Sequence, residues 1–102
     1  MPTLPIDLDH ASLADLCRRW KVQELSLFGS IVRDDFGPES DVDVLVTFQA
    51  QAEWSLLDFV AMRDELAVLF GRKVDLVEEA GLRNPFRRRS ILRDKTPIYA
   101  AS

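Results

Sequence analysis

Apolar and polar residues alternate most regularly in "SDVDVLVTF". Val42, Val44 and Val46 fall on one side of an extended chain, Asp41, Asp43 and Leu45 on the other, which predicts a strand with one valine face. Upstream, "DLDHASLADLCRRWKV" spaces Leu13, Leu16 and Trp20 by three and four residues behind Asp7 or Asp9 as N-cap, predicting a first helix. "VQELSLFG" alternates imperfectly through Val22, Leu25 and Leu27 and ends in glycine, a first strand. "GSIVRD" predicts a brief helix opening at Gly29 and Ser30, and Gly37-Pro38 marks a turn before the valine strand. Residues 55–70 place Ser55 and Asp58 at capping-box spacing and close at Gly71. The apolar set of this helix, Leu56, Phe59, Val60, Leu66, Ala67 and Phe70, forms a broad stripe suited to lying on a sheet. "KVDLVEE" reads as a third strand holding Asp75, "NPFRRRSILRD" as a helix with Asn84 as N-cap and Pro85 next, and "TPIYAA" as a short edge strand. The succession predicts an α+β fold: a small mixed β-sheet with helices packed mainly on one face.

At 102 residues, with 47% hydrophobic and 29% charged positions, the chain has the length and composition of a single domain spanning 1–102. The N-terminus shows no basic and apolar leader pattern, and no apolar run approaches the roughly 18 residues of a membrane span, so the expected setting is cytoplasmic, without membrane. The lone Cys17 reads as a packed residue rather than a nucleophile. A formal net charge of −4 argues against general nucleic-acid binding. Yet Arg83, Arg87, Arg88, Arg89, Arg93 and Lys95 crowd one C-terminal stretch. Consecutive arginines fan around a helix and cannot all reach one ligand. A solvated face, contacts to nucleotide phosphates, an acidic partner or RNA all remain open for them, while Phe86, Ile91 and Leu92 read as packing residues. His10 has no evident partner, and Tyr99 reads as a core or edge-strand residue.

The acids are the unusual feature. On a strand, Asp41 and Asp43 point the same way about 7 Å apart, and like charges so placed repel unless water, arginine or a cation intervenes. Carboxylates are hard ligands, pointing to Mg²⁺ or Mn²⁺, and the lack of a His-Cys cluster argues against zinc. If the strand carrying Asp75 pairs beside them, three acids converge on one face, an arrangement that fits paired metal ions. Unpaired amides at a helix start by Gly29-Ser30 would form a phosphate cradle upstream.

These residues resemble a known family. "GSIVRDDFGPESDVDVLV" looks like the signature of the DNA polymerase β nucleotidyltransferase superfamily: Gly-Ser, an arginine three residues on, then Ser-Asp-x-Asp. In size the chain resembles the minimal nucleotidyltransferases, the antitoxin-like partners of HEPN toxins. Its Asp34 departs from the glycine frequent in relatives. The resemblance implies that Gly29 and Ser30 hold the triphosphate, that Asp41 and Asp43 bind two Mg²⁺ ions, and that Asp75 completes the ion activating the acceptor hydroxyl. Arg33 would either neutralise phosphate or pair with Asp34, Asp35 or Glu39. It further implies a palm-like fold, ATP as substrate, and AMP transfer to a hydroxyl, a tyrosine, of a HEPN toxin. The acceptor surface would come from another chain, with homo- or hetero-oligomerisation left open. The alternative is an inactive module that neutralises its partner by binding alone.

Overall fold

The computed structural model describes residues 6–33 and 35–101; residues 1–5, Asp34 and Ser102 lie outside the described residues, and with them the expected lack of a leader pattern and the expected Arg33–Asp34 pairing. Helix α1 (His10–Arg19) starts where the Asp9 carboxylate accepts a hydrogen bond from the Ser12 amide at 3.2 Å, so Asp9 rather than Asp7 is the cap. Strand β1 (Val22–Phe28), strand β2 (Val42–Phe48), helix α2 (Leu56–Phe70), strand β3 (Val74–Glu78), helix α3 (Pro85–Asp94) and strand β4 (Thr96–Ala100) follow. The strands form one sheet in the order β3-β2-β1-β4. β1 runs antiparallel to both β2 and β4, whereas β2 and β3 are parallel, with α2 supplying the crossover that a parallel pair requires. A register shift between Val22 and Glu24 explains the broken alternation of β1.

Each face of the sheet has its own cover. Val42, Val44 and Val46 pack with Leu27, Val74 and Leu76 beneath Leu13, Leu16 and Cys17 of α1 and Met62, Leu66 and Phe70 of α2. On the opposite face Phe28 and Leu45 meet Ile91 of α3, flanked by Val77, Leu82 and Leu92. Two helices thus share one face, as expected, and the third crosses the other. Leu45 is apolar on the acid side of β2 because α3 lands there. The buried residues of α2 are Met62, Leu66 and Phe70, spaced by four, while Leu56 is 78% exposed and borders an open groove. The expected stripe therefore included a solvent-facing leucine and missed Met62. Phe86, also expected to pack, is exposed.

Local chemistry fastens these pieces. Ser55 and Asp58 form the reciprocal capping box, and Gly71 closes α2 at φ 66°. Ser55→Ala should remove about 1 kcal/mol, lowering the melting temperature by about 4–8 °C; an unchanged midpoint in a thermal melt would refute this role. Trp54 donates its indole N–H to the Trp20 carbonyl at 2.9 Å, and the Trp20 indole in turn donates to Glu65 of α2. Burial pushes the Cys17 thiol up to about 12, which suits packing and not nucleophilic chemistry. Among the described residues no helix is long and apolar enough to cross a membrane.

Candidate active site

The parallel register of β2 and β3 places Asp43 directly opposite Asp75. Residues so paired point to the same side of a sheet, and Asp41, one residue ahead of β2, is near enough for its charge to act on Asp43. Sequence spacing offered only the Asp41–Asp43 half of this arrangement. Across the other edge of β2, Asp43 pairs with Phe28, the last residue of β1, so the following turn arrives against its carboxylate. The fit is close: Gly29 has φ +74°, and a Cβ added there would run into Asp43. Glycine is required twice over, by the left-handed backbone and by the approach.

The brief helix expected after Gly29 is a single 3₁₀ turn, Gly29–Val32. Four residues do not sum to a useful macrodipole, so that part of the phosphate-cradle argument fails; what remains is an open backbone around Gly29. Ser30 is half-buried on this turn and does not line the cleft described below.

Burial raises the Asp43 pKa above the ordinary carboxylate value, and the charges of Asp75 and then Asp41 raise it further, while Arg33 and Arg87 oppose them. Asp43 therefore senses the charges of both other acids. Among the described residues no three His, Cys, Asp or Glu side chains stand together as a group that could hold a metal ion. The donor chemistry nonetheless fits a hard divalent ion: the Asp43 and Asp75 carboxylates share a sheet face, the Asp41 charge acts on Asp43 from just ahead of the strand, and Gly29 contributes no side chain beside Asp43.

A cleft of about 250 Å³ opens beside Asp43. Phe28 and Ile91 provide apolar lining, Gly29, Arg33 and Asp43 one polar flank, and Arg87, Ser90 and Asp94 of α3 another. A larger groove of about 720 Å³, bordered by Thr47, Trp54, Leu56, Phe59 and Val77, contains none of the three acids and meets the cleft at Arg87. Of the three acids, Asp43 borders the smaller opening. Arg33 also pairs with Asp35 at 3.5 Å, but both side chains are well exposed, so the contact adds little stability.

One positioning residue had no signal in the sequence. Arg72 donates to the carbonyls of Gly37 and Ser40 at 2.6 and 2.8 Å, and its guanidinium lies over the Phe36 ring. It pins the loop that delivers Asp41 to the site. Ser90 and Asp94 were likewise not singled out, because only the packing of α3 on Phe28 and Leu45 turns them toward the acids.

A parallel strand pair with opposed aspartates, a third acid two residues ahead and a glycine turn pressed against them defines a palm-type site. Residues 12–98 match the nucleotidyltransferase domain family, and the chain belongs to that family. The protein adenylyltransferase MntA of Thermococcus cleftensis is 38% identical over 80 residues, covering 78% of this chain and 78% of its own. A solved toxin–antitoxin structure with AMP-PNP has the same fold at a TM-score of 0.72 and 21% identity, over 92% of this chain and 75% of that one. The Shewanella oneidensis complex of a tri-AMPylated HEPN toxin with its MNT antitoxin aligns at a TM-score of 0.64 and 19% identity, over 90% and 70%.

Proposed function

We propose that this chain transfers AMP from ATP to a tyrosine hydroxyl of a HEPN-type partner toxin and thereby silences it. The observation that carries this reading is the opposed pair Asp43–Asp75 with Gly29 pressed against Asp43. The kinship with MntA, a protein adenylyltransferase, supports AMP as the transferred group and protein as the acceptor.

In such a transfer the acceptor oxygen bonds to the α-phosphorus, the bond from that phosphorus to the oxygen bridging to the β-phosphate breaks, and pyrophosphate departs. Asp41, Asp43 and Asp75 would hold Mg²⁺, which would neutralise the phosphate charge. Asp43, between Phe28 and Asp75, would face the α-phosphate. Asp75, the exposed acid of the three, would take the hydroxyl proton on its carboxylate, a role worth about 10²–10⁴-fold. The Gly29 backbone permits close approach of the nucleotide, with Ser30 adding a hydroxyl on the same turn, and Arg33 offsets phosphate charge at the cleft. Positioning and electrostatics account for most of the rate gain in chemistry of this type.

Incubation of the chain with its cognate toxin, ATP and Mg²⁺ should add AMP units to the toxin, visible by intact mass. No addition at saturating nucleotide would refute the proposal. An Asp41→Asn/Asp43→Asn variant that still protects cells and co-purifies with the toxin would instead indicate masking by binding alone.

A further inference from the structure

We propose that Arg87 clamps the pyrophosphate end of the nucleoside triphosphate, on the side of Asp43 away from Asp75. This rests on the nucleotide-transfer reading above and deepens it by assigning the leaving-group subsite.

The sheet order sets the direction. Asp43 lies on the middle strand of three, Asp75 on β3 to one side, and the Phe28–Gly29 corner of β1 to the other. In-line displacement needs the attacking and leaving oxygens on opposite sides of the α-phosphorus. If the acceptor is activated at Asp75, the leaving pyrophosphate lies toward β1. The 250 Å³ cleft opens there, bounded by Gly29 and Arg33 on that strand's turn and by Arg87 and Ser90 on α3.

Among three consecutive arginines, geometry selects one. Arg87, Ser90 and Asp94 are spaced three and four residues apart and share the helix face that reaches the cleft. Arg88 is turned the other way, donating to the Glu79 carbonyl at 3.3 Å and pairing with its carboxylate at 3.7 Å. Arg89 is exposed and lines neither the cleft nor the larger groove. Among the described residues Arg87 has no ion-pair partner within 4 Å, and it lines the same cleft as Asp43. Asp94 adds a carboxylate to the same rim, but Arg93 pairs with it at 3.1 Å. Three aspartates alone would repel a triphosphate; Arg33 and Arg87 are the guanidinium groups facing the cleft, and a guanidinium fork matches two phosphate oxygens.

The test compares ATP and AMP binding to the full chain with Mg²⁺, by calorimetric titration of wild type, Arg87→Gln, Arg87→Lys and Arg89→Gln. Arg87→Gln should weaken ATP roughly 10- to 100-fold, as expected for a lost charge-assisted pair, while changing AMP affinity and melting temperature little. Arg87→Lys should recover part of the loss, and Arg89→Gln should match wild type. ATP affinity unchanged in Arg87→Gln, equal losses for ATP and AMP, or an equal loss in Arg89→Gln would overturn the clamp while leaving the transfer reading intact. A wild-type chain that binds no ATP would overturn the transfer reading itself, and the clamp with it.

Discussion

Asp43→Asn is expected to reduce AMP transfer by roughly 10³-fold or more while raising the melting temperature of the ligand-free protein at neutral pH by a few degrees. The two effects share one cause. Burial and the neighbouring charges of Asp75 and Asp41 raise the pKa of Asp43 in the folded chain above its ordinary value of 3.8. A carboxyl with a raised folded pKa binds protons more tightly folded than unfolded. Its contribution to stability is therefore fully present below the unfolded value and is lost as pH rises through the folded one. At pH 7 the ionised Asp43 works against folding, and a neutral isostere removes that penalty. Melts of both proteins between pH 4 and 8, with intact-mass assays of transfer, would test it: the variant's advantage should grow with pH, and Mg²⁺ should stabilise wild type more than the variant. A variant that melts below wild type at pH 7 would sink the electrostatic account.

Gly29→Ala should be damaging for a different reason. The left-handed backbone at φ +74° disfavours any Cβ, and the new methyl group would occupy the space of the Asp43 carboxylate. The backbone strain costs roughly 1–2 kcal/mol, a fall of about 5–15 °C in melting temperature. Displacing Asp43 by even about 1 Å should cost roughly 10²-fold in transfer. The steric part is separable: in Gly29→Ala/Asp43→Ala the methyl has no carboxylate to strike, so the double variant should be more stable than the sum of the two changes predicts. Strict additivity in thermal melts would show that Gly29 and Asp43 do not press on one another.

Much of the architecture was legible because local rules acted without competition. The valine alternation of β2 survives because one face is fully buried beneath α1 and α2. The Ser55–Asp58 box and the Asn84-Pro85 opening are short-range hydrogen-bond and backbone preferences, present in any context. Where tertiary packing intervened, sequence periodicity misled. Leu56 belongs to the apolar stripe by spacing but faces a groove, and Phe86 sits on an exposed turn of α3 while Ile91 alone is fully buried there. Gly29-Ser30 appeared as a helix start, but the tight corner over Asp43 admits only one 3₁₀ turn.

The sequence by itself indicated an α+β chain with Asp43 on one strand, Asp41 two residues before it and Asp75 on another strand, since side-chain direction along a strand follows from its two-residue period. The tertiary structure alone decided that the third acid stands opposite the second, that a glycine corner closes on that carboxylate, that Arg72 pins the loop leading to Asp41, and that Arg87, not its neighbours, faces the cleft. Strand partner, register and helix rotation depend on contacts between residues distant along the chain. No local pattern encodes them, because each is settled only when the two faces of the sheet are covered together.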